Sequence, residues 1–180
     1  MYQFNREEYN KRMEWYVGAR FGMFIHWGLY SIPARGEWVR SVEEIPKEDY
    51  MKYFYEFDPK DYDPKKWARA AKEAGMKYVV LTAKHHDGFC MWDSKYTDYK
   101  ITNTPYKKDI LKPLVNAFRN EGIRIGFYYS LLDWHHPDFT IDRNHPQMPQ
   151  NPDLLKELNK NRNMAKYREY MKNQLTELLT

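Results

Sequence analysis

From Asp63 to Ser130 the chain repeats one plan: a helix with a marked stop, followed at once by a strand. Asp63 is a capping residue and Pro64 suits the first helical position. Trp67, Ala70, Ala71 and Ala74 then fall on one face, and Gly75 ends the helix. Lys77 to Ala83 is a β-branched run. The second copy runs from about Asp109 to Asn120, stops at Gly122, and continues as the strand Ile123 to Ser130. An apolar run from Ala19 to Gly28 reads as an earlier buried strand, preceded by a helix over 6–17. A short helical stretch is expected near 46–54. A proline-rich loop runs from about Asp133 to Pro152, and a single helix is expected over 153–179, with Met164, Tyr167, Met171, Leu175 and Leu178 on one stripe.

Strand–helix alternation predicts an α/β fold with a parallel sheet and crossover helices. A barrel and an open doubly wound sheet both satisfy it. No GxGxxG or GxxxxGK[ST] follows a strand, so a nucleotide-binding sheet lacks its usual sequence support. With 42% hydrophobic and 30% charged residues the chain is globular in composition. A complete (β/α)8 barrel takes about 250 residues and at least roughly 200, so 180 residues would supply only part of one.

Composition excludes some functions. Basic residues number 29 and acidic residues 25, with the signs interspersed, so no nucleic-acid partner is expected. No run of 18 apolar residues exists, so no membrane span is expected. Cys90 is the only cysteine, and the first residues are polar, which leads to an expectation of a cytoplasmic protein.

The chemistry-bearing residues cluster where parallel α/β folds place function, at the carboxyl ends of strands. The first strand ends at His26-Trp27-Gly28, the second at Lys84-His85-His86-Asp87, and the third at Tyr128-Tyr129-Ser130 ahead of Asp133-Trp134-His135-His136. Five of the six histidines lie at such an end. Adjacent strand residues face opposite ways, so His85 and His86 would share a side only if the strand has ended. His135 and His136 are expected in a solvent-facing or lid-like loop. Trp38, Trp92 and Trp134 read either as core plugs or as sugar-stacking platforms. A metal site from His26, His85 or His86 with Glu37 or Asp87 is a minor alternative, without HExxH-type spacing.

Arg20 to Gly28 with Gly36-Glu37-Trp38, then Ala83-Lys84-His85-His86-Asp87-Gly88-Phe89, then Gly126 to Ser130 with Asp133-Trp134, closely resemble the α-L-fucosidases of glycoside hydrolase family 29. The resemblance implies the N-terminal portion, about three strand–helix units, of an incomplete (β/α)8-type TIM-like barrel, with residues 1–180 forming a partial catalytic domain. It implies retaining hydrolysis of α-linked L-fucose from glycoconjugates, with no metal or other cofactor. It places His26, Glu37, Trp38, His85, His86 and Tyr128, rather than Tyr129, in the fucose pocket. It implies no catalytic residue within the chain: the nucleophilic aspartate and the acid/base glutamate are expected beyond Thr180. The isolated chain is then expected to be inactive, with a fucosylated glycan as the partner of the whole. The alternatives are a non-catalytic fucose-binding remnant and a metal-dependent barrel hydrolase.

Overall fold

The computed structural model describes residues 3–180. Helix α1 (Arg6–Ala19) opens on Asn5, whose side chain accepts from the Glu7 and Glu8 amides at 2.9 and 3.2 Å. It buries no residue, and it meets the rest through Trp15 and Tyr16, which pack on Tyr78 at 6.2 and 5.3 Å between ring centroids. Strand β1 (Gly22–Ile25) is followed by α2 (Val39–Val42), α3 (Lys47–Glu56) and α4 (Pro64–Glu73). Then come β2 (Tyr78–Lys84), α5 (Leu111–Asn120), β3 (Arg124–Tyr129), α6 (Pro152–Asn159) and α7 (Met164–Leu179).

The three strands form one sheet in the order β1-β2-β3, with both pairings parallel. Phe24 sits opposite Val80, Val80 opposite Gly126, and Thr82 opposite Tyr128. Alternation then divides the faces. Val79, Leu81 and Ala83 on one face are fully buried, in one apolar cluster with Ala68 and Ala71 of α4 and Leu114, Ala117 and Phe118 of α5. Phe24, Val80 and Tyr128 lie on the other face, which is open: Phe24 is 51% exposed.

Helix α4 starts as its sequence dictates, with Asp63 accepting from the Lys65 and Lys66 amides at 3.0 Å. Gly75 stands just beyond it at φ +82°.

Four expectations change. The first strand is four residues long and only partly buried, because β1 has a neighbour on one side alone and α1 extends through Ala19. On α4, Ala68 and Ala71 are buried while Ala70 and Ala74 are exposed, so the packed face is rotated from the expected one. The C-terminal helix is two helices. Asn163 breaks it by accepting from the Ala165 and Lys166 amides at 3.0 and 3.3 Å, a cap that competes with helix continuation. The stripe of α7 is also partly polar. Gln174 is fully buried, accepting from the Tyr129 hydroxyl at 2.7 Å and donating to Cys90 Sγ and Ser94 Oγ, both at 3.2 Å.

Candidate active site

Thr82 joins the ends of β1 and β2. Its Oγ1 donates to the Trp27 carbonyl at 2.6 Å and accepts from the Trp27 amide at 2.9 Å. With its one proton committed to a carbonyl, it accepts from the Tyr30 hydroxyl at 3.3 Å. This bridge sets the turn after β1 beside β2 and brings His26 to 4.8 Å from His85, measured between ring centroids.

His85 and His86 follow the last residue of β2, where the register with β3 slips between Thr82 and Lys84. The strand has therefore ended, and both rings join one cluster, 4.2 Å apart. Tyr128 lies nearly parallel to His85 at 5.9 Å, and Tyr30 stands edge-on to His85 at 5.0 Å. Trp38 is half-buried and meets His86 edge-on at 4.8 Å. Trp134 is buried behind both, 5.4 Å from Trp38 and 5.3 Å from His86. Glu37 is half-buried and close enough for its carboxylate to act on His86 and Tyr128. Three strand ends thus bring together the six residues singled out from sequence. Tyr129 points elsewhere, bonding Gln174.

His85 and His86 are neutral at physiological pH. Burial, reinforced by His86 and His26, pushes His85 down to about 3. Burial likewise lowers His86, with Glu37 opposing. Neutral imidazoles each offer one donor and one acceptor, which suits a neutral, hydroxyl-rich ligand. Among the described residues, no group of three or more His, Cys, Asp or Glu side chains is arranged to hold a metal ion.

Two nearby carboxylates are already engaged. Asp87 is buried, accepting from the Tyr50 hydroxyl at 3.0 Å and the Phe89 amide at 3.1 Å. Asp133 Oδ2 pairs with Lys84 Nζ at 2.9 Å, and its Oδ1 accepts from the His135 and His136 amides at 3.0 and 2.9 Å. The Trp134 amide donates to the His86 carbonyl at 2.7 Å, so the loop after β3 is fastened onto the loop after β2.

That fastening corrects the expectation for His135 and His136. His135 stacks on Tyr99 at 3.8 Å and 9°, and His136 packs on Tyr170 and Tyr167 at 4.4 and 5.2 Å. Asp133 holds the loop in, and neither ring is a solvent-facing lid. Trp92 is a core plug, its Nε1 donating to Glu177 at 3.2 Å. Tyr30, Ser130 and the Lys84–Asp133 pair were not singled out by sequence reasoning, although each lies within or beside a motif that was.

The buried histidines set a pH response. His85 stays neutral in the fold to about 3, and His135 and His145 to about 4, chiefly through burial. The unfolded chain takes up these protons near pH 6.5. Between those limits it binds more protons than the fold, so stability falls as pH falls from about 6.5 toward 4. Asp87, raised to about 6 by burial, acts oppositely, but is one group against three. Thermal melts are expected to give a lower Tm at pH 5 than at pH 7.5. An equal or higher Tm at pH 5 contradicts this balance.

A parallel α/β sheet with imidazole, phenol and indole groups gathered at its strand ends defines an α/β protein with an aromatic-rimmed cluster at the carboxyl edge of its sheet. The chain belongs to the α-L-fucosidase family, whose signature matches residues 1–180. It is similar to α-L-fucosidase isoenzyme 1 from Paenibacillus thiaminolyticus, at 56% identity and TM-score 0.88, covering 95% of this chain and 40% of that one. A Bacteroides thetaiotaomicron α-L-fucosidase, trapped as a covalent intermediate with 2-fluoro-fucosyl fluoride, is 38% identical at TM-score 0.78, covering 99% of this chain and 40% of that one. Human plasma α-L-fucosidase is 40% identical over 146 residues, 71% of this chain and 31% of that protein. The chain therefore spans less than half the length of each of these relatives.

Proposed function

We propose that this chain is the fucose-gripping portion of a retaining exo-α-L-fucosidase, forming the first three strand–helix units of a (β/α)8-type catalytic barrel. The observation that carries the reading is the convergence of His26, His85, His86 and Tyr128 from three strand ends into one cluster rimmed by Trp38. Fucose is a neutral 6-deoxy sugar. Its hydroxyls need paired donors and acceptors, and its methyl group and ring faces need apolar surface. In this reading His26, His85, His86 and Tyr128 bond the hydroxyls, Trp38 packs against the sugar, and Glu37 accepts from a hydroxyl at the rim. Contacts of this kind raise the rate when they strengthen as the oxocarbenium-like transition state forms.

Retaining hydrolysis also needs two carboxyl groups roughly 5–5.5 Å apart across the glycosidic bond. Asp87 and Asp133 are committed to buried partners, which supports assigning neither role to them. Glu37 alone does not make a pair. By the family resemblance, the nucleophile and the acid/base are assigned to segments outside these 180 residues, and the substrate of the whole is a fucosylated glycan. Incubated with an aryl α-L-fucoside, the 180-residue chain is expected to release no phenol above background. Turnover well above background would show that both carboxylates lie within it.

A further inference from the structure

Ser130 directly follows β3 and is 1% exposed. Its amide donates to the Lys84 carbonyl at 2.9 Å, which fixes it across from the end of β2. Its hydroxyl lies 2.7 Å from the Leu132 carbonyl and 2.6 Å from His86 Nδ1.

A hydroxyl has one proton, and a carbonyl oxygen only accepts. The contact with Leu132 therefore takes the Ser130 proton. Only lone pairs remain on Oγ for His86, so the proton in the second contact belongs to Nδ1. His86 is neutral at physiological pH, because burial disfavours its charged form. A neutral imidazole has one N–H. With that proton on Nδ1, Nε2 is a bare lone pair.

We propose that Ser130 is a positioning residue that holds His86 in the Nδ1–H tautomer, making Nε2 an acceptor for a donating sugar hydroxyl. The acceptor role rests on the cluster being the fucose pocket; the tautomer does not. The relay runs from the Leu132 carbonyl through Ser130 to His86, so a backbone atom of the loop after β3 sets the hydrogen-bonding sense of a side chain on the loop after β2. A ring free to exchange tautomers would offer that hydroxyl an acceptor for only part of the time. Neutral histidine can take either tautomer, and a fixed partner on one nitrogen selects between them.

The tautomer is read by magic-angle-spinning ¹⁵N spectroscopy of the chain labelled in its histidines, with the His86 signals identified by their loss in His86→Gln. The expected wild-type spectrum shows His86 protonated on Nδ1. Protonation on Nε2 overturns the proposal without any Ser130 variant. Ser130→Ala should shift His86 toward Nε2–H or a mixture and weaken L-fucose binding about ten-fold, as for loss of one buried hydrogen bond. Ser130→Thr keeps the hydroxyl and should restore both. A Ser130→Ala chain that melts lower but keeps His86 on Nδ1 reduces Ser130 to packing and contradicts the proposal. An Nδ1–H tautomer in a wild-type chain that binds no L-fucose removes the acceptor role, and the fault then lies in the pocket reading.

Discussion

Lys84→Met will destabilise the fold by about 3–5 kcal/mol, the usual cost of leaving one partner of a buried ion pair uncompensated. The Lys84 and Asp133 side chains are 0% and 2% exposed, with 2.9 Å between Nζ and Oδ2. Burial works against the ammonium, but the Asp133 carboxylate together with Tyr167, Tyr170 and Tyr129 outweighs it and lifts Lys84 well above its ordinary range. Asp133 answers in kind: burial pushes it up, and Lys84 together with the His135 and His136 amides holds it below the usual carboxylate range. Three rings also surround the ammonium, Tyr129 at 4.4 Å, Tyr170 at 5.2 Å and Tyr167 at 5.6 Å. The pair links the end of β2 to the loop that carries Trp134, so its loss also loosens the support behind Trp38 and His86. Asp133→Asn keeps an oxygen for the two loop amides while removing the charge. Combined with Lys84→Met, it should recover most of the lost stability, giving a large coupling in a double-mutant cycle. Additive losses in urea unfolding would show that the ion pair is not what holds the two loops together.

Gly88→Ala will be of similar size, about 3 kcal/mol or more, from left-handed strain plus overpacking. Gly88 has φ +82°, and a Cβ there would collide with Asp133 Oδ1 and lie 2.8 Å from His135 Cβ. Neither neighbour can withdraw easily. Asp133 is held by Lys84 and two amides, and His135 is stacked on Tyr99. The alanine variant should melt about 10 °C lower for a chain of this length. Near-wild-type stability would mean that the loop after β2 relaxes independently of Asp133.

The order of strands and helices was legible because local signals agree with the fold. Asp63 and Pro64 start a helix, glycine ends it, and a β-branched run follows. The gathering of His26, His85, His86 and Tyr128 was legible for a related reason: parallel topology brings strand ends together whatever their separation in sequence. What escaped sequence reasoning depends on partners far along the chain. Ser130 meets His86 across 44 positions, and Lys84 meets Asp133 across 49. No periodicity encodes such pairs. His135 and His136 look like free loop histidines until Asp133 is seen to pin their amides. Helix periodicity carried the reading past Asn163, where a side-chain cap breaks the helix, and it hid Gln174, whose burial depends on Tyr129, Cys90 and Ser94.

The central claim is that the rings gathered at three strand ends form the proposed fucose-recognising surface. Saturation-transfer NMR of the chain with L-fucose, and with D-fucose as the mirror-image control, tests it directly. The expected result is saturable transfer to L-fucose that D-fucose does not reproduce and that His85→Ala or His86→Ala removes. Absent transfer, equal transfer to both enantiomers, or transfer that survives both substitutions would contradict it.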